Sequence, residues 1–264
     1  MKKYTAGFIG AGNMGGAIAK KLCDTCGADK LAVACSTKES SASAAKKIGC
    51  GFADIKDIAQ NSRFLFLGIK PQVAKEIVSE IADFISSDVI VVSMLAGKSI
   101  SFIKDIAKTE KVIRIMPNTP VSVGEGMTQI AVSDAVSPEE TDEFLSLMAP
   151  TGRCDIVPET YIDAACALSG CGPAFVYMFI EALSDGAVKC GLPRDKATEY
   201  AAQTLLGAAT LLLESGRSTS DLKNSVCSPG GSTIAGVSSL ESDGFRAAAI
   251  NAVCASFKRT KELG

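Results

Sequence analysis

Two hydropathy rhythms divide the chain. From Tyr4 to about Pro158, short apolar runs alternate with stretches spaced for helix: YTAGFIG, KLAVACS, RFLFLGI, DVIVVSM, KVIRIMP, TQIAVS and RCDIVP. Runs of this length, separated by helical patterns, predict strands in βαβ units. The unbroken hydrophobicity of Phe64–Ile69 and Val89–Met94 predicts parallel strands covered on both faces. From about Glu159 onward no strand pattern remains. Helices are expected at Ile162–Cys190, Arg194–Glu214, Ser232–Ser239 and Phe245–Leu263, punctuated by GLP and SPGG. The expected fold is α/β: a Rossmann-type doubly wound sheet over residues 1–158, then an all-helical C-terminal dimerisation domain over residues 159–264.

The dimerisation expectation comes from ATEYAAQTLLGAATLLLES (197–215), where apolar or small residues occupy almost every helical face. A helical region of 106 residues, 159–264, can hardly bury several such helices by itself. An interleaved homodimer whose interface resembles a domain core covers them. The competing reading packs this helix wholly within its own domain.

Composition narrows the partners. Among 264 residues, 47% are hydrophobic, and 27 Lys and Arg nearly balance 29 Asp and Glu for a net charge of -2. No basic patch or aromatic stripe stands out, which argues against nucleic acid and for a small molecule. No signal-like apolar segment opens the sequence and no apolar run reaches about 18 residues, so no membrane is expected and the cytoplasm is the expected location. The ten cysteines are scattered, several in apolar runs, and read as small core residues in a reducing compartment. Cys23 and Cys26 form a CxxC, but it falls where a helix should end, away from a thiolate-stabilising helix start. Histidine is absent, which removes imidazole ligands and every His-dependent triad; no metal is expected.

The first chemical motif is FIGAGNMG, with Gly10, Gly12 and Gly15 spelling GxGxxG between an apolar strand and the helical NMGGAIAKKL. Its glycines permit a tight turn, close approach of a pyrophosphate and close helix packing. Where an acidic residue would hold the ribose of NAD, the sequence reads Cys35, Ser36, Thr37, Lys38. Hydroxyls and a cation suit a 2'-phosphate, so NADPH is preferred, with NADH also allowed because Glu39 is close. GIKPQ and SMLAG lie at the carboxyl ends of buried strands, where ligands bind in open sheets. Lys70 is expected to position this loop rather than to catalyse. Asn118, in MPNTP, either hydrogen-bonds a carboxamide or closes an Asx turn. Near the end of the chain, NSVCSPGGSTIAGVSSLE (224–241) is a second glycine-rich turn opening a helix, a place where an anion can sit.

Taken in order and spacing, FIGAGNMG, IKPQ, MPNTP, ALSGCGPAFVYMFIEALSDGAVKCGLP and SPGGSTIAGVSSLES resemble the motifs of the pyrroline-5-carboxylate reductase family. The last two stretches are the specific ones, and the resemblance covers essentially the whole chain. It implies reduction of Δ1-pyrroline-5-carboxylate to L-proline with NAD(P)H, the last step of proline biosynthesis. It places cofactor against Ile9, Gly10, Ala11, Gly12, Asn13, Met14, Ser36, Gly68, Ile69, Lys70, Pro71, Met94, Leu95 and Ala96. It places substrate near Glu159, Ser225 and the stretch from Ser228 through Gly230, Gly231 and Ser232 to Thr233. A homodimer is implied, with a decamer of dimers in a ring as the larger assembly. Cys171 and Cys227 stand where the family pattern has serine.

The chemistry suits a histidine-free chain. A protonated pyrroline imine is already electrophilic, so positioning becomes the main contribution of the protein. Backbone N–H groups of Gly230 to Thr233 can hold the substrate carboxylate, and the Thr233 hydroxyl is the candidate to exchange the ring-nitrogen proton. Two other readings compete: alcohol oxidation of the β-hydroxyacid dehydrogenase kind, and a non-catalytic NADPH-binding sensor. The first usually employs a lysine early in the helical domain, where SGCGPAFVYMFIEAL has none.

Overall fold

Strands that are apolar along their whole length are stable only where helices cover both sides, and the sheet is built on that condition. A computed structural model describes residues 2–263. Its strands are β1 (Tyr4–Ile9), β2 (Leu31–Ala34), β3 (Gly51–Phe52), β4 (Ser62–Leu67), β5 (Ile90–Ser93), β6 (Val112–Met116), β7 (Gly126–Val132) and β8 (Gly152–Ile156). Around them run α1 (Asn13–Cys26), α2 (Lys38–Ile48), α3 (Ile55–Asn61), α4 (Ala74–Ile81), α5 (Ile100–Ala107) and α6 (Pro138–Met148). The strands form one sheet in the order β3-β2-β1-β4-β5-β6-β7-β8, antiparallel only between β6 and β7. The expected strands are all present. β3 was not foreseen, because two residues carry no readable period.

Alternate side chains of β4 enter opposite cores. Phe64 and Phe66 join Phe8 and Phe144 on one face, while Leu65 and Leu67 join Ile9, Val91 and Ile103 on the other. Phe8 and Phe66 stack with ring centroids 4.4 Å apart. Each such side chain contributes roughly 1.5–3 kcal/mol by leaving water, which fixes the strand register on both sides.

After β8 the chain is helical: α7 (Ile162–Ala165), a π-helical turn at Cys166–Gly170, α8 (Gly172–Lys189), α9 (Arg194–Ser215), α10 (Thr219–Ser225), α11 (Ser232–Ser242) and α12 (Phe245–Leu263). The single helix expected over Ile162–Cys190 is thus interrupted by a π turn, and the short polar α10 had no apolar period to announce it. Two compact units emerge, one of residues up to Cys171 together with those from Ser256 onward, the other Gly172–Ala255. Architecture changes after Ile156, but the first unit runs further because Ile162 and Ala167 are completely buried and Ile162 joins the sheet's core.

Within the second unit, α8 and α9 pack through small residues, with Ser184, Ala197 and Ala201 buried. Phe179 of α8 meets Phe245 of α12 at 5.4 Å. Of the 22 residues of α9, its own chain buries only Ala197 and Ala201, and Leu206, Leu211 and Leu213 stay more than half exposed. The reading that packs α9 wholly within its own domain is therefore corrected. The run Glu159–Lys189 is, by length and a mean hydropathy of 1.5, apolar enough to cross a membrane, and only 6% of that window is buried in the single chain. Asp163, Glu181 and Asp185 interrupt the stretch, so it is not an unbroken apolar run, and a helix apolar on several faces reaches such a mean whether it meets lipid or protein.

The tightest backbone approach in the sheet lies between the turns that follow β1 and β4. Gly10 has φ +90°, and a Cβ there would stand 2.5 Å from the Gly68 carbonyl oxygen; a Cβ on Gly68 would drive into the Gly10 carbonyl. Gly68→Ala is expected to cost about 1–3 kcal/mol, read as a lower melting temperature. Gly12→Ala, where an added Cβ meets nothing within 4 Å, serves as the comparison and should lose only the N-cap preference for Gly over Ala, about 0.5–1 kcal/mol. Equal melting of both variants would show that the approach does not constrain the fold.

Candidate functional site

β1 is flanked by β2 on one side and β4 on the other, so the winding reverses there and a crevice opens at the carboxyl ends of the strands. Two ladder-like bonds hold its rim: Gly10 N–H donates to Ala34 O at 2.7 Å and Gly68 N–H to Ile9 O at 2.8 Å. Gly12 is the N-cap of α1 and brings no capping side chain. The helix start is left without a side-chain cap, and a Cβ on Gly12 would meet nothing within 4 Å. A pyrophosphate fits those two conditions. Ile9 is buried, Ala11 and Met14 half-buried, and Gly12 and Asn13 exposed, so the motif presents backbone outward.

Beyond the end of β2 lies a cavity of about 610 Å³. One wall is Ser36, Thr37, Lys38 and Ser41, the other Phe52, Ala53, Asp54 and Ile55. Thr37 is the N-cap of α2 and shares a capping box with Ser40, so its hydroxyl accepts the Ser40 N–H at 3.1 Å. Ser36 and Lys38 are exposed, and Lys38 has no ion-pair partner among the described residues. Glu39 is held below the ordinary glutamate range by its own backbone N–H and the Thr37 hydroxyl. The Phe52–Ile55 wall escaped sequence reading. Its signal was Asp54, which accepts the Lys56 and Asp57 N–H groups at 2.9 Å and so starts α3.

The other predicted cofactor residues sit along the same edge. Lys70 is exposed at the start of a 3₁₀ turn, Pro71–Val73, that opens with Pro71. Gly68 and Ile69 are half-buried, while past β5 Met94 is half-buried, Leu95 buried and Ala96 exposed. Asn118 does not close its own turn. Its Oδ1 accepts the Met127 N–H at 2.9 Å and its Nδ2 donates to Ser169 O at 3.0 Å, so it ties the start of β7 to the π turn. An Asx turn is ruled out, because the oxygen serves a residue nine positions on.

A charged cluster was not anticipated. Arg114 lies in β6 with its side chain only 5% exposed. Its Nη1 donates to Glu159 Oε1 at 3.1 Å and its Nη2 to Asp163 Oδ1 at 2.9 Å. Lys261 Nζ donates to Asp163 Oδ2 at 2.9 Å. The one signal was a lone arginine inside KVIRIMP, a run otherwise too apolar to hold an unpaired cation.

In the second unit, Ser225 closes α10 by donating its hydroxyl to Leu222 O at 2.7 Å. The loop then turns through Gly230 at φ +66°, and the Gly231 N–H donates to Ser228 O at 3.0 Å. Gly231 is the N-cap of α11, again without a side-chain cap, and Thr233 is exposed in the first turn. Its first N–H groups are open to an anion. Elsewhere all ten cysteines are free. Burial pushes the Cys23 and Cys26 thiols up, so the CxxC holds protonated core thiols.

Comparison with known proteins matches both halves. A family model described as "Pyrroline-5-carboxylate reductase dimerisation" covers residues 159–263, and one described as "NADP oxidoreductase coenzyme F420-dependent" covers residues 5–97. The pyrroline-5-carboxylate reductase of Pisum sativum is 38% identical, over 98% of this chain and 96% of the relative. That of Escherichia coli K12 is 36% identical over 97% of each. The crystal structure of the Plasmodium falciparum pyrroline carboxylate reductase with NADP bound has a TM-score of 0.89 at 28% identity, covering 100% of this chain and 99% of that one.

Burial pushes the Asp163 carboxyl up, but hydrogen bonds and charge from Lys261 and Arg114 outweigh it and hold the group below the ordinary aspartate range. A carboxyl depressed by folding gives stability that is complete above its unfolded pKa and is lost as pH falls through its folded one. Asp163→Asn is therefore expected to be less stable than wild type at pH 7 by roughly 1–3 kcal/mol. In denaturant titrations the gap should close as pH drops below about 4. Equal stability at neutral pH would show that the cluster adds nothing net.

Proposed function

The chain belongs to the pyrroline-5-carboxylate reductase family, and we propose an assignment of its residues to that family's reaction. It is an oxidoreductase acting on a CH–NH bond, reducing Δ1-pyrroline-5-carboxylate to L-proline with NAD(P)H as the last step of proline biosynthesis. The observation that carries this is the full-length likeness, which runs through the nucleotide half and the dimerisation half alike. NADPH, the preferred cofactor, supplies the hydride when bound.

The remaining work falls to the chain. The uncapped turn at Gly12 holds the pyrophosphate on free N–H groups, and Ser36, Thr37 and Lys38 hold the 2'-phosphate. Gly68 to Pro71 and Met94 to Ala96 complete that side, with Lys70 as a positioning cation. Asn118 acts through Met127 and Ser169 to fix the backbone beside them. In the helical part of the sequence, for which we propose the domain bounds 159–264, the N–H groups of Gly230, Ser232 and Thr233 are assigned to the substrate carboxylate, while Gly231, whose own N–H goes to Ser228 O, shapes the turn that presents them. Ser225 and Ser228 shape the loop that presents them. Thr233 Oγ1 is assigned to the ring nitrogen, giving or taking its proton. Because the iminium is electrophilic without further activation, orientation in a dry pocket suffices and no imidazole is needed.

The exposed apolar faces of α8 and α9 support a homodimer, and a decamer of dimers in a ring is the larger assembly we assign. Ten free thiols support the cytoplasm as its location.

Nucleotide absorbance followed with both cofactors tests the reading. NADPH oxidation should depend strictly on added pyrroline-5-carboxylate, and Lys38→Glu should shift preference toward NADH by about tenfold, or ~1.4 kcal/mol. An unchanged ratio would place the 2'-phosphate elsewhere. Reduction of NADP by a hydroxy acid, with no imine-dependent oxidation, would instead favour the dehydrogenase reading, and nucleotide binding without turnover the sensor.

Thr233→Ala is expected to raise the imine KM or lower kcat by about tenfold, with Thr233→Ser close to wild type. Wild-type kinetics in the alanine variant would remove the role of the hydroxyl.

A further inference from the structure

Family resemblance places Glu159 near the substrate, yet one oxygen of its carboxylate holds two groups of the protein frame. Glu159 Oε1 accepts the Ile100 N–H at 2.7 Å as well as the guanidinium of Arg114 at 3.1 Å. Ile100 is the first residue of α5, and the N-cap Ser99 takes the Phe102 N–H at 3.1 Å. Two side chains therefore satisfy two of the N–H groups that a helix start leaves open, and an anion is favoured there by the helix dipole as well.

What this helix start anchors is the loop leaving β5. Its near end is Ser93, which pairs in the sheet with Arg114. Its far end is Ile100, tied through Glu159 to the same Arg114. Between them Leu95 is buried and Gly97 turns at φ +71°, so neither end is free to drift without disturbing the core. Arg114 is in turn held by Asp163, and Asp163 by Lys261 from α12. Nothing pairs with the buried Arg114 Nε, which makes the two Nη contacts its whole support among the described residues.

We propose that Glu159 is a positioning residue for the Met94–Ala96 loop and not a substrate ligand: with Arg114 it fixes both ends of that loop, and Lys261, through Asp163, keeps Arg114 in place. The proposal rests on Met94–Ala96 being part of the nucleotide site.

The test is direct binding, by calorimetric titration of NADPH into the whole protein without imine. Glu159→Ala should weaken NADPH binding about tenfold and raise its KM in step, while the imine KM at saturating NADPH stays within about twofold. Glu159→Gln, which keeps an oxygen for the Ile100 N–H, should restore most of the affinity. Amide exchange at Ile100 should quicken in the alanine variant only. A raised imine KM with unchanged NADPH affinity would overturn the proposal, and so would wild-type NADPH affinity in folded Glu159→Ala. If that variant does not fold, Glu159→Asp, one methylene short of Ile100, replaces it: weakened NADPH binding supports positioning, and wild-type binding defeats it. Ala96→Leu separates the two levels. Unchanged NADPH affinity there would sink the assignment of the loop to the nucleotide; weakened affinity there, with normal affinity in Glu159→Ala, would sink the positioning role alone.

Discussion

A strand covered on both faces has no water to offer a charge, and Arg114 sits in such a strand. Leaving a guanidinium there unpaired would cost several kcal/mol, so carboxylates must come to it. They come from Glu159 and Asp163, the first turns of the helical half of the sequence. The requirement explains why the compact unit built on the sheet does not stop with its last strand but takes in the chain as far as Cys171. It also explains why the end of α12 belongs there, since Lys261 balances the second acidic residue. One buried cation thus ties its own strand to two segments far from it in sequence.

The opposite constraint governs the nucleotide edge, where function depends on missing side chains. Gly10 and Gly68 let two turns touch, and Gly12 leaves a helix start bare. Under the proposed assignment, a pyrophosphate there would meet backbone dipoles already fixed in direction, which need no reorganisation on binding. α11 repeats the device: Gly231 caps it without a side chain and Gly230 supplies the left-handed turn. A second uncapped start is what a carboxylate-bearing substrate asks for.

How much of this could be read from sequence follows from what each feature depends on. The long strands were legible because burial on both faces writes an unbroken apolar run. The all-round apolar pattern of α9 correctly signalled that its own chain would not cover it. Phe52–Ile55 stayed hidden because a two-residue strand has no period, although it forms half of the cavity beside Lys38. The Arg114 cluster stayed hidden for another reason: its partners are 45 and 49 residues away, and only the fold reveals such pairs. The Asx-turn reading of Asn118 failed in the same way, since its partners lie at Met127 and Ser169 rather than in its own turn.

That difference bears on how residues carry over within a family. A motif whose role is backbone geometry, such as Gly10 or Gly230, transfers with its φ angle and can be checked in the isolated chain. A side chain named only for its neighbourhood transfers less securely, because proximity to a substrate and support of the surrounding frame look alike in sequence. Glu159 is the case in point: one oxygen of its carboxylate is shared between a helix start and a buried guanidinium, so the frame fixes the side chain whether or not a ligand is near. The anion-binding work is better left to N–H groups that nothing else claims, and α1 and α11 both provide them.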